Sequence, residues 1–374
     1  MTRAQKITLG LLLVIACSIW GIFLYITSQA YQSWSGRPLG PTLAYPTQLR
    51  LPATWTASPL ATQPTITLAP TLFFETQTPV PPFLACNYNL PPMTVLAIGT
   101  DVRPGQHRSG LTDFMRAVRV DFQGQRVTAL EFPRDLWVQI PGIEIKLGID
   151  HQKLNTAYAY GNPEHGPSLL ARTLDLNFGL NVDHYIVANM NVFAEVVDAL
   201  GGLDVILPPG GIDGRTSTDR SARLVFPEGP QHLNGEQALT LARLRNISVF
   251  VRAEHQNMVM CALRKKIESP EVVLRLPAII NSFMRNIQTD LSPEQISQLA
   301  CLGTNMPRSN IVFASFPGTL FHSGEIYDPL LQQNVFIWDA NFDVLRNYVS
   351  DFQAGAWPAS SPSGGSESEA SSCE

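Results

Sequence analysis

Asp150-His151-Gln152-Lys153-Leu154-Asn155-Thr156-Ala157-Tyr158-Ala159-Tyr160-Gly161 is the most informative run in this chain of 374 residues. Working outward, Phe132-Pro133-Arg134-Asp135 lies upstream, and before it come two aspartates twelve positions apart, Asp101 and Asp113. Downstream, Leu200-Gly201-Gly202-Leu203-Asp204-Val205 precedes Leu233-Asn234-Gly235-Glu236-Gln237-Ala238-Leu239, followed by Arg243, Arg245, Arg252 and Gln256. Each piece is weak evidence taken singly. Their order along one chain is what makes them informative.

Hydrophobic periodicity around these pieces alternates between strand and helix. Residues 94–99 are a short apolar run ending in Gly, which predicts a buried strand with a loop at its end. Residues 117–122 and 126–132 alternate as two strands joined by the turn at Gln123-Gly124. A helix is expected over 168–178, a strand over 184–190, then a helix that Asn191 can cap and Gly201-Gly202 ends. Residues 205–207 form a strand stopped by Pro208-Pro209. Asn234 with Gln237 three positions on has the form of a capping box, as has Ser292-Pro293-Glu294-Gln295 with its Pro at the first helical position. Residues 252–267 read as a longer helix with Val259, Ala262, Leu263 and Ile267 as an apolar stripe. Phe342, Leu345, Val349 and Phe352 mark a final amphipathic helix. Interleaved elements with at least one hairpin predict a mixed sheet with helices on both faces.

The polar residues group by chemistry. Asp101 and Asp113 flank strand ends, where two carboxylates can share a hard cation; Mg²⁺ takes one or two carboxylates plus substrate phosphate oxygens. The bland alternative is a pair of turn residues. Arg134 presents a planar fork suited to phosphate oxygens and Asp135 can hold it, although a surface ion pair is the commoner meaning of such neighbours. Lys153 and Asn155 share a face if the segment is extended. Tyr158 is expected in the core. Arg243 and Arg245 repeat the one-residue spacing, and Arg252 and Gln256 sit at i and i+4 on one helix face with His255 beside them. A cationic helix end running into an apolar stripe fits a phosphorylated lipid. The commoner alternative for such a helix is a core helix with a solvated arginine at its start. No Ser/His/Asp or Cys/His nucleophile pattern is evident.

In this order, roughly residues 93–268 resemble the LytR–CpsA–Psr family, enzymes that attach glycopolymers to bacterial cell walls. The resemblance implies a three-layer α/β/α fold and a phosphotransferase that moves a glycopolymer phosphate from a polyprenyl-pyrophosphate carrier to peptidoglycan. It implies Asp101 and Asp113 as Mg²⁺ ligands, Arg134 and Asp135 as catalytic residues, and Arg134, Lys153, Asn155, Arg243, Arg245, Arg252 and Gln256 as phosphate-binding residues. Three positions depart from the family pattern: Leu111 and His255 stand where arginines are usual, and Val249 where an aspartate is frequent. Arg108 is close enough in sequence to replace the first arginine. A non-catalytic polyprenyl-phosphate- or glycan-binding envelope protein is the alternative that these losses favour.

Composition and the chain ends bound the rest. Hydrophobic residues make up 45% and charged residues 15%, with a formal net charge of −5. No basic excess exists to neutralise nucleic-acid phosphates. Arg3 and Lys6 precede an uncharged run over 7–26, about 30 Å of helix and enough to span a bilayer. The basic flank favours an N-terminus inside, so the expected location is the bacterial cytoplasmic membrane, single-pass, with the domain outside. Ser28-Gln29-Ala30 as a signal-peptidase site and Val14-Ile15-Ala16-Cys17 as a lipoprotein box are the competing readings. The expected organisation is a cytoplasmic stub (1–6), a transmembrane helix (7–26), a Pro/Thr-rich stalk (27–92), the catalytic domain (93–268), a C-terminal part packed on it or forming a small appendage (269–359), and a disordered tail (360–374). Of the five cysteines, Cys17 falls in the membrane run and Cys373 in the tail, which leaves Cys86, Cys261 and Cys301 to pair or to remain thiols.

Overall fold

The computed structural model describes residues 25, 27–29, 31–43, 86–101, 110–216, 219–244, 249–267, 269, 287–358 and 370–373. The apolar run over 7–26 lies outside these residues except for Tyr25, and among the described residues no helix is long and apolar enough to cross a membrane.

The elements follow in chain order. First come β1 (Met93–Thr100), β2 (Thr112–Asp121), β3 (Arg126–Glu131), β4 (Trp137–Gln139) and β5 (His151–Lys153). Helix α1 (Asn162–Phe178), β6 (His184–Asn189), α2 (Met190–Ala199) and β7 (Leu203–Leu207) are next. Then come β8 (Ile212–Asp213), β9 (Val225–Phe226), β10 (Gly229–Leu233), α3 (Gly235–Ala242) and α4 (Val249–Ile267). The chain continues through β11 (Ile287–Thr289), α5 (Pro293–Asn305), β12 (Ile311–Ala314), β13 (Phe321–Asp328), β14 (Gln333–Ala340), α6 (Phe342–Ala354) and β15 (Ala370–Ser372).

A mixed sheet of order β11-β6-β1-β2-β3-β12-β15 organises the domain. β1 runs parallel to β6 and antiparallel to β2, and β3 runs parallel to β12. Leu96, Ile98, Met115, Ala117 and Leu130 point to one face, where they pack with Leu170 and Leu174 of α1 and Leu345, Val349 and Phe352 of α6. On the other face Val118, Val120 and Phe122 meet Leu299 and Leu302 of α5. Helices therefore cover both faces, as the interleaved periodicity predicts. A second core joins Val197 of α2, Leu203 and Val205 of β7, Leu241 of α3, and Val259 and Ala262 of α4.

Local signals account for most element ends. Both capping boxes form: Asn234 accepts from the Gln237 amide and Ser292 from the Gln295 amide. Gly201 and Gly202 end α2 with positive φ. Other boundaries move. α1 begins at Asn162, six residues before the expected start, with Pro163 in its first turn and Pro167 inside the helix. Asn191 lies inside α2 rather than capping it, since the helix starts directly from β6 at Met190.

The C-terminal region is no appendage: β12 pairs with β3 inside the main sheet, and α6 fills the first core. The apolar stripe of α4 is likewise taken up by the protein itself, with Val259 and Ala262 buried in the second core and Ile267 left exposed. A hydrocarbon chain along that stripe would displace β7 and α3. The Pro/Thr-rich segment is partly docked. Leu39 donates its amide to the Leu291 carbonyl, and the Tyr185 hydroxyl donates to the Pro41 carbonyl.

The cysteines correct the tail expectation. Cys86 bonds to Cys301, and Cys261 of α4 bonds to Cys373, directly after β15, which pairs with the sheet edge at β12. An open strand edge and a nearby thiol hold the end of a polar tail that has no core of its own. Cys373→Ser is expected to lower stability by about 2–4 kcal/mol, read as a lower denaturant midpoint. An unchanged midpoint would show that this bond is absent in the isolated protein.

Candidate functional site

The site lies where β1, β2, the β3–β4 connection and the α3–α4 region meet. β1 and β2 shift register between Gly99 and Thr100, and such a bulge re-aims the strand end. Gly99 permits this approach, because a Cβ there would stand 2.9 Å from the Phe114 Cβ. Asp101 follows immediately. Asp113 is the second residue of β2, inside the strand rather than ahead of it.

Arg134 is held by the backbone around it. The Asn155 amide donates to the Arg134 carbonyl at 3.0 Å, and Leu154 donates to Leu136 at 2.8 Å. The Thr112 hydroxyl donates to the Asn155 carbonyl at 3.2 Å, tying the same turn to β2. That turn is a 3₁₀ segment, Leu154–Thr156, so Lys153 and Asn155 do not share a face. Lys153 reaches the site, whereas Asn155 is buried with its side-chain oxygen unpartnered. Its place beside Arg134 is structural through the backbone, and the proposed contact of its side chain with phosphate loses its geometric basis.

Charges alternate across the site. The Arg243 Nη2 lies 3.0 Å from Asp101 Oδ2 and 3.2 Å from Asp113 Oδ2. The other oxygen of Asp113 accepts from Arg134 Nη1. Arg134 Nε is 3.3 Å from Asp135 Oδ2, and Lys153 Nζ is 3.3 Å from Asp135 Oδ1. Both oxygens of Asp135 thus face cations, so its geometry suits holding Arg134 and Lys153 in place rather than removing a proton. Asp113, Arg134, Arg243, Arg252 and Gln256 line one narrow cleft with Met190 and Ala242. Arg252 Nε donates to the Leu244 carbonyl at 3.3 Å and Gln256 Nε2 to the Ala242 carbonyl at 3.4 Å, which locks the start of α4 to the end of α3.

Asp101 and Asp113 each direct an oxygen at the same guanidinium nitrogen, so the two carboxylates already converge on one cationic point. This donor set fits a hard divalent ion that completes its shell with water and substrate oxygens. Among the described residues no group of three or more His, Cys, Asp or Glu gathers as a metal site. Arg245 and Arg108 lie outside the described residues. Leu111 is 44% exposed, and His255 is buried with burial pushing its imidazole pKa down, so it adds no charge at neutral pH.

Sequence reasoning missed the layer beneath. Arg116 on β2 is paired across the strands with Glu131 on β3, the guanidinium 2% exposed and 3.0 Å from the carboxylate. It also donates to Asn257 at 2.7 Å and Gln256 at 3.4 Å, and it packs on the rings of Phe114 and Phe313. Burial pushes the Glu131 carboxyl up in pKa, opposed by Arg116. The available signal was a charge at an inward position of two apolar strands.

The family model described as the LytR_cpsA_psr family matches residues 75–341. The polyisoprenyl-teichoic acid–peptidoglycan teichoic acid transferase TagV of Bacillus subtilis (strain 168) is 27% identical over 203 residues, covering 54% of this chain and 50% of that protein. Regulatory protein MsrR of Staphylococcus aureus (strain COL) is 29% identical over 211 residues, covering 55% of this chain and 58% of its own. The chain therefore spans little more than half the length of these curated relatives. Among solved structures, protein gbs0355 from Streptococcus agalactiae superposes with a TM-score of 0.56 at 22% identity, over 70% of this chain and 88% of that one. The family protein YwtF (TagT) with bound octaprenyl pyrophosphate lipid gives 0.51 at 21%, over 72% and 92%. These structural likenesses bear on the fold. Motif order, mixed sheet and a family match over most of the chain converge, and the protein belongs to the LytR_cpsA_psr family.

Proposed function

We propose that this protein is a membrane-anchored phosphotransferase that moves a glycopolymer phosphate from a polyprenyl-pyrophosphate carrier to peptidoglycan. One observation carries the reading: Asp113 is clamped between Arg134 and Arg243 in a cleft that Arg252 and Gln256 also line. Guanidinium forks gathered on a carboxylate form a ready cradle for phosphate oxygens. Phosphoryl transfer asks mainly for positioning and charge stabilisation, which this cleft can provide without a covalent nucleophile.

An acceptor-sugar hydroxyl oxygen forms a bond to the phosphorus nearest the glycan as the bond to the bridging oxygen breaks. Polyprenyl phosphate departs and the hydroxyl proton passes to solvent. Arg134 and Arg243 hold the oxygens of the reacting phosphate, Lys153 and Arg252 balance the rest of the charge, and Asp135 orients Arg134 and Lys153. Asp101 and Asp113 would hold a Mg²⁺ ion, which would supply further neutralisation of the pyrophosphate charge. Arg245 is assigned to the same phosphate group by its motif.

The two disulfides support an oxidising compartment outside the cytoplasm. With the basic-flanked apolar run over 7–26, they favour a single-pass anchor in a bacterial cytoplasmic membrane, N-terminus inside. Named relatives transfer teichoic acid to peptidoglycan, and a fold neighbour holds octaprenyl pyrophosphate, which makes this chemistry the leading choice. A binding protein without turnover is the second reading, favoured by exposed Leu111 and by neutral, buried His255 where the family has arginines.

The test uses the full chain in carbonate-washed membranes with a synthetic glycan–pyrophosphate–polyprenyl lipid, Mg²⁺ and peptidoglycan fragments. Polyprenyl phosphate release that stays with the membranes and stops on chelation is the expected result. Tight lipid binding with no release would put the binding-protein reading first. Activity recovered only in the soluble wash would sink the anchor.

A further inference from the structure

Beside the phosphate cleft runs an open groove lined by Trp137, Gly148, Ile149, Asp150, His151 and Pro329. Trp137 is half-buried, yet it belongs to none of the apolar cores and stacks on no other ring among the described residues. On β4 it stands directly opposite Lys153 of β5, so these side chains emerge on one face, and His151 two positions along β5 joins them. The opposite face of this ribbon is committed to the interior, with Val138 and Gln152 buried. Lys153 in turn contacts Asp135, which holds Arg134. Lys153 and Asp135 therefore link the strand position of Trp137 to Arg134 of the cationic cleft.

The far wall is built rather than incidental. Pro329 sits in the β13–β14 turn, where Asp328 is 2% exposed and accepts from the Gln152 side chain at 2.7 Å. The other Asp328 oxygen accepts from the amides of Leu330 and Leu331 at 2.8 and 3.2 Å, which orders that turn. The β14 amide of Trp338 donates to the Asp135 carbonyl at 2.9 Å, joining the hairpin to the phosphate-site segment. The separation between Trp137 and Pro329 is thus set by buried hydrogen bonds.

We propose that this groove is a saccharide subsite, in which the Trp137 indole receives the apolar face of a pyranose ring and Asp150 and His151 bind its hydroxyls. The chemistry of the lining favours a sugar over other ligands. A pyranose has a C–H face and a rim of hydroxyls, matching one aromatic surface beside hydrogen-bonding edges. His151 Nδ1 lies 2.8 Å from Asp150 Oδ1, and this hydrogen bond keeps Asp150 anionic by lowering its pKa. A carboxylate here repels phosphate and accepts from hydroxyls, so the polyanionic part of a substrate stays at Arg134 and Arg243 while neutral sugar lies on Trp137. The groove is open at its outer side, which suits a polymer that continues beyond it.

The assignment rests on the phosphotransferase reading for its link to the cleft, but it can fail separately. The sugar belongs either to the donor glycan or to the acceptor, and the two are distinguished by kinetics on the full chain in nanodiscs. Trp137→Ala is expected to raise KM by about tenfold for one of the two substrates with kcat little changed, the loss of one stacking contact. A shift in donor KM assigns the groove to the glycan on the carrier, and a shift in acceptor KM to the peptidoglycan strand. Trp137→Phe keeps an aromatic face and should retain most of the affinity, and its thermal midpoint checks folding. Unchanged KM for both substrates in a folded Trp137→Ala protein overturns the subsite. If the parent chain turns over nothing, titration calorimetry with a β-1,4-linked N-acetylhexosamine tetrasaccharide and with the soluble donor disaccharide decides it. Weakening of either binding by Trp137→Ala supports the groove even without catalysis, and no binding of either sugar by the parent overturns it.

Discussion

Glu131→Leu is expected to destabilise the protein by about 3–5 kcal/mol, because it strands the Arg116 guanidinium in the interior without its counter-charge. Arg116 keeps its charge under all ordinary conditions, and at 2% side-chain exposure it has no route to water. Its bonds to Asn257 and Gln256 are to neutral groups and cannot replace a carboxylate. Arg116→Met combined with Glu131→Leu removes both charges and should recover most of the loss, since a buried pair is often worth no more than well-packed apolar side chains. Denaturant midpoints of the two single variants and the double variant check this. Equal losses in Glu131→Leu and in the double variant would show that packing volume, not the stranded charge, sets the cost. The pair also bears on the site, as Gln256 is linked both to Arg116 and to the α3 end that carries Arg243.

Arg134→Ala should lower turnover by about 10²–10³-fold, the scale seen when one preorganised donor to a developing charge is removed. Arg134 is the junction of the charge chain, touching Asp113 on one side and Asp135 on the other. Its loss frees one oxygen of Asp113 and one of Asp135 and leaves unbalanced negative charge facing the incoming phosphate. Arg134→Lys keeps the charge but loses the fork, so it should hold lipid pyrophosphate better than it transfers it. Polyprenyl phosphate release gives turnover, and lipid binding by the same variants gives the ground state. Wild-type turnover in Arg134→Ala would remove the cleft from the chemistry altogether.

Much of the site could be read from local sequence. Arg134-Asp135, Lys153, Arg243, Arg252 and Gln256 stand in short runs whose spacing declares a shared face or a shared loop, and the structure gathers the described ones. Asn155 misled because an extended segment was assumed where the chain turns into a 3₁₀ helix after Lys153. Arg116 and Glu131 passed unnoticed because each is locally an ordinary strand residue. Only the β2–β3 register makes them direct partners.

By itself the sequence determined what neighbours within a few residues decide: strand alternation, both capping boxes, the glycine end of α2, the apolar face of α6, and the motif order that marks the family. Tertiary structure decided what depends on residues far apart in the chain. Cys86 and Cys301 are 215 positions apart and Cys261 and Cys373 are 112 apart, and no local pattern encodes either pairing. The same holds for the apolar stripe of α4, which β7 and α3 cover, and for the wall that the β13–β14 turn sets opposite Trp137. Local propensity is paid out residue by residue along the backbone, whereas these contacts form only once the sheet has brought distant segments together.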